Sequence, residues 1–411
     1  MKIHAESGAF SKALSIVTRA AARKTTVVQL AAVLIEAKDG VLSFKATDNE
    51  ISISLRSSAK IEEEGAAAIP ARMIHEIASQ LKEQPITLSA DDSGATLATE
   101  SASYTLRCQE PKEFPVLPEF DKDSAFSVPA REFSKAIARA SAAVDNDETR
   151  PILSGLLASF SGGSLTMAST DSYRLALHKG EIGEGPGQDR SAVIPAKALA
   201  EVGRLAEMDE EISVVLGENQ AMFKAKSIVL STRLIDGNFP EYSRLLPDTF
   251  EMEFDVPAQQ LRESLKRANL FSGASDRSSK GSTKGGSPGA PVRFAFCSEE
   301  GTLAGGKLTI SSKSADTGEA AESLEATLPE GVKEFVVAFN GRYIADGVAE
   351  IIATGAESVR FKANEALKPV VLCPAPASGE AGNGAKDKKQ PPDYTYLIMP
   401  MRDPNSAQKE N

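Results

Sequence analysis

Apolar residues recur along this 411-residue chain with two periods, one that fits helices and one that fits strands. Residues 7–22 carry apolar side chains three or four positions apart, at Phe10, Leu14, Val17 and Ala21, which predicts an amphipathic helix. Further helices are predicted over 71–81, 130–144, 196–208, 258–271 and 341–351. Alternation of apolar and polar residues predicts strands, among them 32–37, 41–45, 51–55 and 103–108.

The same order of elements occurs three times, and short segments mark each occurrence. Segment 42–48 (LSFKATD) returns as 165–171 (LTMASTD) and more weakly as 308–314 (LTISSKS). Segment 69–72 (IPAR) returns as 194–197 (IPAK) and 339–342 (FNGR). Markers in the same order predict an α+β chain of three tandem copies of one domain, each long enough to bury a core.

Proline-marked connectors place the domain boundaries. We predict domains over residues 1–121, 122–249 and 250–404, followed by a flexible tail over 405–411. Two stretches rich in Ser, Gly, Lys and Pro interrupt the third copy, at 272–291 and 374–392. Their composition cannot build a core, so we expect surface insertions.

The composition limits the classes of function. An apolar fraction of 41% and a charged fraction of 25% are typical of a soluble globular protein, and no apolar run is long enough to span a membrane. The chain opens without a signal-peptide core, and Cys108, Cys297 and Cys373 are odd in number and widely spaced. We therefore expect a cytoplasmic protein without a disulfide framework or zinc site.

Basic residues concentrate on the predicted helices although the net charge of the chain is −11. The first copy carries Lys12, Arg19, Arg23 and Lys24 in a segment without acidic residues. The other copies carry Arg131, Lys135, Arg139, Lys197, Arg204, Arg262, Lys266, Arg267 and Arg342. At about 100° per residue these cations largely oppose the apolar stripes, and they are either ordinary solvated helix faces or parts of one basic surface. Such a surface, in a chain without Trp, suits duplex phosphates better than stacking on single strands.

Four segments in order carry a family resemblance: 46–48 (ATD), 169–175 (STDSYRL), 236–242 (DGNFPEY) and 396–402 (YLIMPMR). With the threefold repeat, they make residues 1–402, apart from the insertions, resemble the bacterial sliding clamps, the β subunits of DNA polymerase III. The resemblance implies a head-to-tail homodimeric ring around duplex DNA, with two helices of each domain on a basic inner wall. It also implies that Lys24 and Arg150 occupy loop positions that touch DNA.

The resemblance further implies a hydrophobic cleft between the central and C-terminal domains. There the family binds short peptides of polymerases, including the DNA polymerase III α subunit, of the clamp loader and of other proteins with a clamp-binding motif. The matching positions are Leu153, Thr170, Ser172, Tyr173, Arg174, Leu175, Pro240, Arg244, Leu245, Asn340, Tyr343, Leu397, Met399, Pro400, Met401 and Arg402. The alternative is that the aliphatic members are ordinary core residues.

The implied dimer contact joins an edge strand of the first domain to the first helix of the third. The matching residues are Tyr104 and Leu106 on the strand and Leu270 and Phe271 on the helix. Because the insertion at 272–291 follows directly, it either alters this contact or loops outward.

No catalytic constellation emerges from the sequence. His4, His75 and His178 lack metal-ligand spacing, and Asp48 and Asp171 stand at equivalent turns, where Asp closes a loop after a strand. We therefore expect no enzyme activity, metal or cofactor. The leading hypothesis is a DNA-encircling clamp. The alternatives are a clamp-like paralogue that acts as a peptide-binding scaffold without DNA tethering and a hydrolase with an unrecognised site.

Overall fold

A computed structural model describes residues 1–91, 93–147, 149–272, 290–298, 305–314, 318–329, 332–376 and 393–402. The predicted tail at 405–411 and nearly all of the predicted insertions, 273–289 and 377–392, lie outside the described residues.

Six α-helices occur in the described part of the chain: α1 Ser7–Val17, α2 Ala71–Gln80, α3 Ala130–Ala140, α4 Ala196–Ala206, α5 Ala258–Phe271 and α6 Gly341–Ala353. The strands of the first third are β1 Lys2–Glu6, β2 Ala32–Lys38, β3 Val41–Thr47, β4 Ile51–Ser57, β5 Lys60–Glu63, β6 Gly65–Pro70, β7 Pro85–Asp91, β8 Gly94–Ala98 and β9 Ser103–Leu106. The middle third contains β10 Phe126–Pro129, β11 Gly155–Ser161, β12 Ser164–Thr170, β13 Arg174–Glu181, β14 Arg190–Pro195, β15 Glu211–Leu216, β16 Gln220–Ala225 and β17 Ile228–Arg233. The last third contains β18 Met252–Pro257, β19 Val292–Ser298, β20 Gly305–Ser314, β21 Gly318–Thr327, β22 Glu334–Phe339, β23 Ser358–Ala363, β24 Val370–Pro374 and β25 Tyr394–Ile398.

The predicted helices are confirmed, with differences at their ends. The helix predicted over 7–22 stops at Val17, and the helix predicted over 130–144 stops at Ala140. Each continues as a short 3-10 turn, Thr18–Ala20 and Ser141–Ala143, which prolongs the apolar periodicity beyond the α-helix. Four helices start directly after a strand that ends in proline, because proline fixes a backbone angle suited to helix entry.

The chain forms two compact units. The first contains Met1–Lys135, Ser159–Ser164 and Glu181–Asp236, and the second contains Ala136–Ala158, Leu165–Gly180 and the described residues of Gly237–Asn411. In the first unit, one sheet has the order β5-β1-β7-β8-β9 and another the order β10-β15-β16-β17-β4-β3-β2-β6. In the second, hydrogen-bonded strands run in the order β12-β13-β25-β24-β23-β18-β21-β20-β19-β22.

One backbone hydrogen bond recurs in all three copies and shows that they share a local geometry. The Gln109 amide donates to the Ala68 carbonyl over 2.8 Å, and Ile235 donates to Val193 over 2.9 Å. In the third copy, Met401 donates to Ala338 over 2.7 Å. Each acceptor lies two residues before a helix N-cap, so the bond ties the end of each copy to the entry of its second helix.

Helices pack on the sheets through buried apolar faces. In the first unit, Phe10 of α1 meets Phe44 of β3 edge to face, with ring centroids 5.6 Å apart. In the second unit, α5 and α6 pack on a core in which Phe254 stacks on Phe296 at 4.4 Å. No helix in the described part of the chain is long and apolar enough to cross a membrane.

Candidate functional site

The strand pair β13 and β25 brings together the residues predicted to form the peptide cleft. Leu175 lies opposite Leu397 in this antiparallel pair, and both side chains are buried. They belong to a small apolar cluster, which we call the cleft cluster: Ala168, Leu175, Leu177, Val371 and Leu397. Leu157, Phe239, Tyr242, Leu246 and Phe250 pack against it. All of these residues lie in the second unit.

Three exposed apolar side chains stand beside the cleft cluster. Tyr173 is 61% exposed, Leu245 46% and Met399 40%, and a group of exposed large apolar residues is typical of an interaction surface. The Met399 amide donates to the Tyr173 carbonyl over 2.8 Å, so these two residues are adjacent. Leu245 ends a 3-10 turn whose Tyr242 packs against the cluster. Together these side chains offer an adaptable apolar surface above a fixed floor.

Arg174 is buried at the edge of this surface and held by several groups. Its Nε donates to Asp171 over 2.9 Å, and its Nη1 donates to Asp346 over 2.6 Å and to the Tyr396 hydroxyl over 3.3 Å. The guanidinium also lies 4.1 Å from the centre of the Tyr343 ring. Burial opposes the charge, but Tyr396, Asp346 and Asp171 together raise the pKa of Arg174 above its ordinary value. Arg174 therefore braces β13 against α6 and β25.

The turn before Arg174 confirms the structural role predicted for the two aspartates. Asp171 Oδ1 accepts the amides of Tyr173 and Arg174 over 2.9 and 3.0 Å. Asp48 Oδ1 accepts the amides of Glu50 and Ile51 over 3.0 and 2.8 Å in the equivalent turn. Such a turn needs a left-handed residue, and Ser172 takes a φ of 79°. This geometry presents Tyr173 outward.

The remaining predicted cleft residues are distributed around this arrangement. Asn340 caps α6, since its side chain accepts the amides of Arg342 and Tyr343. Arg244 pairs with Glu241 over 2.6 Å. Leu153 and Thr170 are buried, Pro240, Ser172 and Arg402 are exposed, and Pro400 and Met401 are half-buried. The sequence did not identify Asp346 or Tyr396 as partners of Arg174, because an ion pair between distant segments leaves no local pattern.

A groove in the first unit collects four of the cations predicted to face DNA. This basic groove has a volume of about 700 Å³. Its charged lining residues are Arg19, Arg23, Asp48, Lys197, Glu201 and Arg204. Lys12, Lys24, Arg131, Arg262 and Lys266 are also exposed, and none of them forms an ion pair with another described residue. Arg342 at the start of α6 is half-buried.

Several predicted DNA-facing cations have acidic partners. Lys135 pairs with Glu132 over 2.5 Å, and Arg267 makes a two-pronged pair with Glu322 at 2.6 and 2.7 Å. The hydrogen bonds from Arg267 are the main cause of a lowered pKa of Glu322.

Arg150 holds the turn of the cleft. Its Nη2 lies 2.6 Å from an Asp145 carboxylate oxygen, and its Nη1 donates to the Ser172 hydroxyl over 3.1 Å.

The prediction that Arg139 lies on an exposed basic stripe is wrong. Its side chain is buried, and its Nη1 lies 3.3 Å from Nδ1 of His178. Residues four apart on a helix drift by about 40°, so Arg139 has rotated about 80° from Arg131 toward the buried face. Burial raises the pKa of the nearby Glu350, and the Arg139 charge partly offsets that effect.

The residues predicted for a dimer contact lie on exposed elements. Tyr104 and Leu106 belong to β9, the edge strand of its sheet, and Tyr104 is 36% exposed. Leu270, near the end of α5, is 58% exposed, and Phe271 is half-buried. An edge strand with free backbone groups is a site for pairing with another strand.

Among the described residues, no cluster of three or more His, Cys, Asp or Glu side chains is arranged to hold a metal ion. The cleft cluster and its exposed neighbours offer apolar contact, and the basic groove offers positive charge. Both are suited to binding a partner.

Comparison with known proteins identifies the same family along the chain. Three family models of the DNA polymerase III beta subunit match the chain. The model of the N-terminal domain matches residues 1–118, that of the central domain residues 127–241 and that of the C-terminal domain residues 302–381. The beta sliding clamp of Streptomyces coelicolor is 29% identical over 98% of this chain and 99% of its own length. That of Staphylococcus epidermidis is 26% identical over 96% and 97%. The crystal structure of the DNA polymerase III subunit beta from Pseudomonas aeruginosa has a TM-score of 0.82 at 24% identity, covering 98% of this chain and 100% of that one.

Proposed function

Because the chain belongs to the family of DNA polymerase III β subunits, the sliding clamps, we propose that two copies close into a ring around duplex DNA. The ring would tether the replicative polymerase, through its α subunit, the clamp loader and other partners that carry a clamp-binding peptide. These partners would bind at the cleft cluster and its exposed neighbours Tyr173, Leu245 and Met399. We also propose that the three domains of the clamp meet at the predicted boundaries, residues 121 and 249.

The observation that carries the proposal is a repeated junction between copies. The last strand of the central copy, β17, pairs with β4 of the N-terminal copy, where Thr232 faces Ile51. The last strand of the C-terminal copy, β25, pairs with β13 of the central copy, where Ile398 faces Arg174. The central and C-terminal copies therefore each pair their last strand with a strand of the copy before them.

The same rule leaves two edges for a second molecule. The last strand of the N-terminal copy, β9, lies at a sheet edge. The equivalent acceptor in the C-terminal copy is β21, which pairs with β20 along its length but with β18 only between Asp255 and Thr327. Pairing β9 with β21 of a second molecule, twice, would give a closed assembly with six equivalent junctions.

Sequence-independent binding to DNA fits the charges that the helices present. The cations of the basic groove, together with Lys12, Lys24, Arg131, Arg262 and Lys266, can contact phosphates without reading bases. A ring held by closure needs only weak contacts of this kind, so it can slide.

Retention on circular DNA tests this proposal. The protein, loaded on nicked circles with a clamp loader, should remain bound through gel filtration and should be released when the circle is linearised. Equal retention on linear DNA with free ends would contradict the topological mechanism. A dimer that binds partner peptides but never remains on circles would support the alternative of a peptide-binding scaffold.

A further inference from the structure

The basic groove contains two carboxylates that pair with three of its four cations. We propose that Glu201 and Asp48 compete with DNA phosphates for the cations of this groove and thereby keep its hold on the duplex weak. This inference rests on the proposed DNA-encircling function. It assigns a role to two acidic residues that the positive stripes alone would not suggest.

Glu201 connects cations of two different copies. Its carboxylate lies 3.4 Å from Nη1 of Arg19, which belongs to the N-terminal copy, and it also accepts a hydrogen bond from Nη1 of Arg204 in the central copy. The Glu201 side chain is only 16% exposed, whereas Arg19 and Arg204 are 38% and 54% exposed. The two guanidinium groups are therefore accessible to a phosphate while their counter-charge lies beneath them.

Asp48 engages Lys197 in a similar way. Its Oδ1 closes the turn after β3, and its Oδ2 accepts a hydrogen bond from Nζ of Lys197 over 2.8 Å. The Asp48 side chain is 15% exposed and that of Lys197 is 63% exposed. Again the acid is held by the fold, and the cation can move toward solvent.

The charge balance decides the effect of these pairs. Two carboxylates face four cations, so about half of the positive charge in the groove is compensated before DNA arrives. A phosphate that binds Arg19, Arg204 or Lys197 must replace or share an existing partner. The electrostatic gain per phosphate is smaller than for an uncompensated cation, and so is the dependence of affinity on salt.

The arrangement predicts that losing an ion pair raises the affinity for DNA. Removing Glu201 should strengthen DNA binding, whereas loss of an ordinary structural ion pair would leave it unchanged or weaken it. Glu201→Gln preserves the size and helix propensity of the residue, and Asp48→Asn keeps the oxygen that closes the turn. Both variants should therefore fold.

The test measures equilibrium binding of the full-length protein to a short, fluorescently labelled linear duplex at several salt concentrations. Glu201→Gln should bind about threefold to tenfold more tightly at low salt, with a salt dependence steeper by up to about one phosphate contact. Asp48→Asn should shift in the same direction. Glu62→Gln is the matched control, because Glu62 also bridges two basic groups, Lys2 and His4, but lies outside the groove.

Unchanged or weaker binding by both groove variants would overturn the inference, as would an equal gain in the Glu62→Gln control, which would reveal a simple net-charge effect. Failure of the wild-type protein both to bind the duplex and to remain on circles would refute the proposed function. Wild-type retention with no gain in Glu201→Gln would refute only the inference.

Discussion

At the scale of single residues, the cleft separates into a buried floor and an accessible surface. The sequence predicted Leu175, Leu397, Tyr173 and Met399 as one set, because a linear motif does not report exposure. In the structure Leu175 is fully buried, whereas Met399 is 40% exposed. The two types of residue should therefore respond differently to truncation.

Met399→Ala should weaken binding of a clamp-binding peptide by about 1–2 kcal/mol while leaving stability nearly unchanged, since its side chain is available to a partner. Leu175→Ala should instead cost about 2–5 kcal/mol of folding free energy. Peptide titration by fluorescence anisotropy and denaturant unfolding would separate the two effects. An unchanged affinity in Met399→Ala would move the site elsewhere, and Leu367→Ala is the control because that exposed residue is not part of the cleft.

Cys373 on β24 should be the least reactive of the three thiols. Burial raises the pKa of Cys373 from 9.0 to about 11, so the folded protein contains about a hundredfold less of the reactive thiolate at neutral pH. A variant with Cys108→Ser and Cys297→Ser should react with a thiol reagent far more slowly folded than unfolded. Rapid labelling of the folded variant would show that Cys373 is accessible.

The same shift predicts how stability depends on pH. Well below pH 9 the thiol is protonated in both states and has no effect on stability. As the pH rises through 9 toward about 11, the unfolded state loses its proton first, so stability should fall. Cys373→Ala should lack this component when denaturant midpoints are compared across the window.

At the scale of elements, the sequence predicted helices and strands well because each copy repeats the same apolar periods. The helix over Ala258–Phe271 has the predicted bounds. The ends of α1 and α3 were predicted several residues too far along the chain, because the 3-10 turns that follow also place apolar residues at a helical spacing. Strand partners could not be predicted, since pairs such as β13 with β25 join segments more than two hundred residues apart.

The junction rule predicts a register for the proposed contact between β9 and β21 of a second molecule. In the recurring hydrogen bond the donors of the second and third copies are Ile235 and Met401. The residues three positions before these donors, Thr232 and Ile398, face Ile51 and Arg174. The equivalent pair is Leu106 with Gly318, which places Tyr104 opposite Ala320. Tyr104→Cys with Ala320→Cys should therefore form an intermolecular disulfide under mild oxidation.

Non-reducing electrophoresis would measure the cross-linked product. Tyr104→Cys with Ala321→Cys is the control, because neighbouring residues of a strand point to opposite faces. Equal cross-linking in both variants would contradict this register.

At the scale of the whole molecule, the distribution of charge fits a clamp. The chain carries a net charge of −11, yet the basic groove presents four cations on one face of the first unit. Negative charge elsewhere keeps the protein soluble and disfavours DNA on other surfaces.

Leu270→Ala should shift the proposed dimer toward monomer without unfolding the protein. The side chain is 58% exposed, so its loss removes little from the core but would remove contact area from the proposed interface. Mass measurement by light scattering over a dilution series tests this. Leu367→Ala, at a site 70% exposed and not among the predicted interface residues, is the control, and a dimer that persists on dilution would refute the assigned contact.

The two strands proposed to join a second molecule, the edge strand β9 and β21, whose side facing β18 is paired only at Thr327, also have a genetic consequence. A subunit with one damaged edge would still use its intact edge to join a normal subunit, but the resulting pair could close only one of its two junctions. Such a mutant would inactivate wild-type protein in the same cell, whereas a mutant damaged at both edges would be inert. Single-edge mutations should therefore behave as dominant and double-edge mutations as recessive, which follows from the direction in which the copies are joined.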